Sequence, residues 1–372
     1  MNDILNQFDS WLQETGPAAL VIRENLMPVE GHDGVVFPAT FAASEDKTFK
    51  GGYNIDSFGD AMNICLLDTV GSQANRIEPL FAKKEYAGLV PQIVVEAGKK
   101  KINLLDAGHR AGDAIVRCSA LQDELRSAFK ADLDGDAAPL AKIAPTSLVF
   151  GVWDSRETQC KRPRLIASTI RAYDVKTLTR SAQYNPATSY VDDKLIDDAG
   201  KSKESKDAHA KRGFVHVPAS GSHGGVIATG GIRRNAILHL AALRLLDAAD
   251  AEKTLTLRRY VLGLALTAFT YPPSGYLRQG CNLVLDPENK NEFKVVHGDG
   301  RREDVVVPGA PETMVTHAVA LAFAKAAAVA FQVGENREVP FDKELAKADL
   351  SGEPNASTKP AKPAKPKRAA SK

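Results

Sequence analysis

The chain has 372 residues, 44% of them apolar, enough for one large domain or two ordinary ones. Lysine and arginine number 48 against 46 aspartate and glutamate, but six of those cations stand in the last 22 residues beside a single glutamate, so the rest of the chain is slightly acidic. That excludes a protein that is basic throughout, and any polyanion site must be local. The opening MNDILNQFDSWLQETGP is acidic and lacks the basic and apolar runs of a signal peptide. The longest uncharged run, 260–277, is broken by Gly263, Pro272, Pro273 and Gly275, which argues against a membrane span and for a cytoplasmic protein. Cys65, Cys118, Cys160 and Cys281 lie far apart with no CxxC pair, which suits reduced thiols rather than a zinc knuckle.

In chain order, AALVI and RENLMPVEG within 17–30 predict a strand and a turn. Around GSQANRIEPLF, spacing at 100° per residue predicts a helix with Leu66, Val70, Ala74, Ile77 and Phe81 on one side and Thr69, Ser72, Gln73 and Arg76 on the other. Pro79 begins a second short helix. That polar side is either a solvated face or one that grips a backbone through amide, hydroxyl and guanidinium groups. Residues 90–106 predict two strands joined by a Gly-Lys turn, 120–130 a helix, and SLVFGVW at 147–153 a buried strand. Residues 192–212 hold twelve charged residues in twenty-one, the mark of an exposed loop or protrusion. Helices are expected over 233–250, 255–269 and 311–334, the last capped by Gly334, with a hairpin within 282–307. Hairpins mixed with non-alternating helices predict an α+β fold rather than a doubly wound parallel sheet. We expect one domain over 1–345 and a disordered, basic Lys/Pro/Ala tail over 346–372.

The densest positive stretch is RETQCKRPRLIASTIRAYDVKTLTR, where Arg156, Lys161, Arg162, Arg164, Arg171, Lys176 and Arg180 face only Glu157 and Asp174. Local enrichment of this kind is the electrostatic footprint of a polyanion, and the arginine bias suits bidentate phosphate contacts. The alternative is a charged surface balanced by acids elsewhere. AGHRAGD, 107–113, offers His109, Arg110 and Asp113. His109 and Asp113 could share a helix face and bind a metal, but no third ligand is near; Arg110 between Gly108 and Gly112 suits a close approach to phosphate, or else a salt bridge to Asp113. SGSHGG, 220–225, surrounds His223 with small residues that permit close backbone approach, without the GK[ST] of a phosphate loop. Arg233 and Arg234 are expected to open a helix, where the backbone favours anions, or to cap it. Arg278 precedes a strand, and His239 and His317 read as core histidines. No nucleophile elbow, Walker motif or Ser–His–Asp order stands out, and no cofactor is expected.

VIRENLMPVEG, GSQANRIEPLF, LLDAGHRAGDAIVR, PLAKIAPTSLVFGVWDSRETQCKRPRLIASTIRA, LTRSAQYNPA and YLRQGCNLV together resemble the backbone subunit of the type I-G (formerly I-U) CRISPR Cascade complex, of the RAMP superfamily. The resemblance spans roughly 20–335. It implies a modified RNA-recognition-motif fold, a ferredoxin-like βαββαβ sheet with large insertions, in which 184–225 is the candidate thumb. It further implies a noncatalytic subunit that polymerises along CRISPR RNA with copies of itself and other Cascade subunits, and presents the guide to a target DNA strand. The expected RNA contacts are then Ser72, Gln73, Arg76, His109, Arg110, Arg156, Lys161, Arg162, Arg164, Arg171, Arg180, His223, Arg233, Arg234 and Arg278. A guide of any sequence must be held by its backbone, which fits this residue set. The K/R-G-F-G-F-V-F type of aromatic signature is missing, so stacking on sheet aromatics is not expected. The alternatives are a metal-dependent RNA endonuclease using His109 and Asp113, with His223, or a scaffold whose basic stretch meets an acidic partner.

Overall fold

The computed structural model describes residues 2–46, 48–59, 62–272 and 274–351. The central element is an antiparallel sheet that curls into a half-barrel. Its strands are β1 (Ala19–Pro28), β2 (Asn63–Asp68), β3 (Ile166–Tyr173), β6 (Ile232–His239), β7 (Cys281–Leu285) and β8 (Glu292–Val296); the hairpin between β3 and β6 supplies β4 (Val175–Tyr184) and β5 (Val217–Ala228). β1 lies beside β6, β6 beside β3, and β3 beside β2, while β7 and β8 both pair with β1 at different heights. The order β8-β1-β6-β3 is that of a ferredoxin-like βαββαβ unit, so the α+β expectation holds, with β2 added at one edge.

Alternation builds the core. Leu20, Ile22 and Glu24 of β1 stand opposite Leu238, Ala236 and Arg234 of β6, and that face is covered by helices. These are α1 (Val70–Ile77), α2 (Gln122–Leu133), α3 (Ala138–Ile143), α4 (Pro145–Phe150), α6 (Ala251–Thr270) and α7 (His317–Phe331). α6 and α7 pack closely because Gly263 lets the backbones meet: a Cβ there would lie 2.8 Å from Ala324 Cα. Tyr260 stacks on Phe331 with ring centroids 4.5 Å apart, and its hydroxyl donates to the Leu89 carbonyl at 2.8 Å. His239 and His317 are partly buried, and burial pushes both imidazoles down, as core histidines require. All four cysteines are buried free thiols, and among the described residues no helix is long and apolar enough to cross a membrane.

Three expectations are corrected. Residues 232–239 form a strand, not the start of a helix; Ile232, Arg234, Ala236 and Leu238 alternate inward, so Arg233 and Arg234 do not open a helix. The apolar run at 147–153 belongs mainly to α4, which Pro145 starts and Gly151 (φ +82°) ends. The helix expected over 311–334 divides into a strand, Ala310–Met314, and α7, whose left-handed cap is Gln332 and not Gly334. The charged connection within 192–212 rises from the β4–β5 hairpin and contains one helix, α5 (Lys203–Lys211), with no buried residue. A last helix, α8 (Lys343–Ser351), runs past position 345; the expected tail beyond it lies outside the described residues. Gly263→Val should lower stability by about 1–3 kcal/mol in chemical unfolding, because the α6–α7 backbones must part. Gly298→Ala, with nothing within 4 Å of its Cβ, should leave the unfolding midpoint unchanged.

Candidate nucleic-acid interface

Helix α1 explains why glutamine, asparagine and arginine stand together in GSQANRI. Thr69 caps it, its side chain accepting from Ser72 N at 3.0 Å. Asp68, the last residue of β2, is only 1% exposed, yet four donors converge on its carboxylate. Ser72 Oγ donates at 2.8 Å, Gln73 Nε2 at 2.6 Å, Arg76 Nε at 3.2 Å and Arg278 Nη2 at 3.1 Å. Gln73 Oε1 also accepts from Ser168 Oγ of β3 at 3.0 Å, and Arg76 Nη2 donates to the Leu277 carbonyl at 2.7 Å. The polar stripe is therefore neither a solvated face nor a free grip. It locks α1 to the sheet, with Gln73 buried, and two guanidiniums on one carboxylate leave the corner net positive.

Near α1 opens a cleft of about 630 Å³. Its walls come from 108–117 and 151–164, and Gly71 of α1 approaches Arg164 at its edge. His109, Arg117, Arg156, Lys161, Arg162 and Arg164 line it with Arg110, and no aspartate or glutamate does among the described residues. Gly151 makes room: with φ +82°, a Cβ there would lie 2.9 Å from Arg164 Cγ. Val152–Trp153 pairs with Lys161–Arg162, so Trp153 stands opposite Lys161, whose Nζ sits 5.4 Å from the indole centroid. Trp153 is 57% exposed, an aromatic on the cleft wall that sequence reasoning missed.

The cations of the cleft differ in commitment. Arg162 donates to both Asp132 oxygens, at 2.6 Å each, and Arg117 pairs with Asp349 of α8 at 2.7 Å. Glu157, the acid inside the arginine-rich stretch, turns away to Arg126 at 2.7 Å. Arg156 and Lys161 are exposed and have no carboxylate partner among the described residues. Arg164 Nη1 is buried without a hydrogen bond, and burial together with the neighbouring Arg110 lowers its pKa.

Arg110 is only 2% exposed and forms the floor. Its backbone is left-handed, φ +54°, and its guanidinium lies 5.3 Å from the Phe150 ring centroid. Nε donates to Glu78 Oε2 at 2.7 Å, Nη1 to the Gly151 carbonyl at 3.3 Å and Nη2 to Asn75 Oδ1 at 3.4 Å. Its ion-pair partner is thus Glu78, not Asp113. Glu78 is 1% exposed, and burial pushes its pKa up to about 7 against the pull of Arg110.

The remaining expected residues lie elsewhere. Arg171 and Arg233 are cross-strand neighbours on the sheet face away from the helices, with Arg233 3.7 Å from the Tyr173 ring centroid. Arg234 points to the opposite face, where it is buried on Glu24 at 2.6 Å and is not available to a backbone. Arg180 and His223 belong to the β4–β5 hairpin, against Phe37 and Tyr53 respectively. The close approach allowed by SGSHGG is to the protein itself, since Gly225 N donates to Tyr53 Oη at 3.1 Å. His109 and Asp113 do not form a ligand pair: Asp113 caps a helical turn, its carboxylate accepting from the backbone N of Ile115 at 3.1 Å and of His109 at 3.3 Å. Among the described residues, the histidine and acids that come together as a group of three are His32, Asp286 and Glu288, far from this cleft in sequence.

The site is thus a basic cleft beside an α+β sheet, flanked by an exposed aromatic. Residues 20–177 match the model of the family described as CRISPR-associated protein GSU0053, a span that carries nearly all of β1, then β2, β3, Asp68 with its donors on α1, and the whole cleft, but not Arg278. Over that span, a little under half of its length, the chain is similar to this CRISPR-associated, RAMP-type family, which supports a role in CRISPR defence. No curated protein matches the chain. Asp68→Ala should cost about 3–5 kcal/mol in chemical unfolding, because Arg76 and Arg278 lose their shared buried counter-charge. Asp304→Ala, which removes an exposed partner of Lys294, should leave the midpoint where it is.

Proposed function

We propose that this protein is a noncatalytic backbone subunit of a type I-G CRISPR effector complex, which lines up in several copies along CRISPR RNA and leaves the guide bases free to pair with a target DNA strand. The observation that supports this reading most is the cleft of seven cationic or imidazole side chains with no acid in its lining among the described residues. Arg156, Lys161 and Arg164 supply charge to phosphates, and Trp153 offers one flat apolar surface to a base. None of these groups reads a base edge in a way that would favour one guide over another. The β4–β5 hairpin with its charged connection is the candidate thumb. Other Cascade subunits complete the assembly.

Fluorescence anisotropy with labelled single-stranded RNAs of unrelated sequence tests the reading. Affinity should fall steeply with salt and be similar for all sequences. Arg156→Ala and Lys161→Ala should each weaken every RNA alike and reduce the slope of log K against log salt by about 0.7. Trp153→Ala should cost about 1–3 kcal/mol of binding with little change in that slope. Binding that depends on RNA sequence, or that competes equally with heparin and ignores these substitutions, contradicts the proposal.

A further inference from the structure

The pair beneath the cleft is unusual in its isolation. Glu78 and Arg110 are 1% and 2% exposed, so neither is solvated. The carboxylate satisfies Arg110 through Oε2, but Oε1 is buried with no hydrogen bond. The groups that face Glu78 are Arg110, Arg164 and the Thr146 hydroxyl. Two of these are the guanidiniums that a polyanion in the cleft would also attract. Anion and carboxylate therefore compete for the same positive charge.

We infer that Glu78 is the positioning residue and proton switch of the cleft: ionised, it holds Arg110 in its left-handed pose; when a polyanion enters, it takes up one proton from solvent and releases the charge of Arg110 and Arg164 to the ligand. The inference rests on the reading of the cleft as a polyanion site. The protonated acid keeps a carbonyl oxygen for Arg110 and gains an O–H, for which the Thr146 hydroxyl is an acceptor. Burial already places the midpoint of this carboxyl near 7, so the proton is gained close to neutral pH. The sign is fixed: removing a negative charge from behind the cleft favours an anion in front of it, so affinity rises as pH falls through the midpoint. His109 also lines the cleft, so its substitution is the control that isolates Glu78.

The experiment uses the full chain and a fluorescein-labelled oligouridylate at constant ionic strength, between about pH 6 and pH 8, with one linked proton setting a ceiling of ~tenfold in affinity per pH unit. The unaltered protein should bind several-fold more tightly at the lower end. Glu78→Gln should hold the low-pH affinity across the range, whereas His109→Gln should keep the pH dependence. Calorimetry of the unaltered protein in two buffers of different ionisation enthalpy should show proton uptake on binding, which keeps the test open should Glu78→Gln fail to fold. RNA binding that is independent of pH, or without proton uptake, overturns the switch while leaving the cleft. A pH dependence lost in His109→Gln and retained in Glu78→Gln also overturns it. No RNA binding at any pH removes the cleft reading itself, and the inference with it.

Discussion

Asp68 is the carboxylate on which the rest of the site depends. It closes β2, sits beneath α1 and is nearly sealed from solvent, so its charge must be met by donors from the protein. Four side chains from two distant parts of the chain meet it. Once Ser72, Gln73 and Arg76 are drawn to this side, the helix has no rotational freedom left. Gly71 and Asn75 are then turned towards Arg164 and Arg110, two of the cations that line the basic cleft. A buried ion pair of this kind contributes little net stability, yet removal of one partner is expensive, which makes it a device for fixing geometry.

A second layer of buried acids repeats the pattern. Asp132 takes the fork of Arg162, and Cys160 Sγ donates to the same carboxylate at 3.2 Å; burial pushes that thiol up to about 12, so it stays protonated. Glu78 takes Arg110, and Glu157 takes Arg126. The acids of this region are spent behind the cleft or to its side. The open cations remain in front, and a chain that is slightly acidic outside its last residues presents a positive surface at one place.

Much of this was legible in the sequence, for physical reasons that can be named. The density of Arg156, Lys161, Arg162 and Arg164 marked the cleft because charge clustering is a local property. Arg110 stood out between two glycines, but its partner Glu78 lies 32 positions away and left no trace in the spacing. Strand β6 was misread because Arg234 occupies an inward position. Its partner Glu24 stands directly across on β1, and without that pair the alternation looks like a helical face. α4 was misread because a helix buried on all sides carries no periodicity, and only Pro145 and Gly151 betray its ends. Trp153 gave no signal, since a lone tryptophan in an apolar run is ordinary core material until a two-residue pairing with Lys161 turns it outward. The resemblance read over roughly 20–335 is matched by the family model over 20–177, which takes in the cleft, Asp68 and the strands as far as β3.

The central claim is that single-stranded RNA lies in this one cleft, between the walls 108–117 and 151–164. The most direct measurement is photo-crosslinking of the full chain to RNA carrying 4-thiouridine, with the joined peptides identified by mass spectrometry. The account predicts crosslinks concentrated on the two cleft walls, within 108–117 and 151–164, with Trp153 prominent among them. Crosslinks confined to residues beyond 351, with none on either wall, would contradict it.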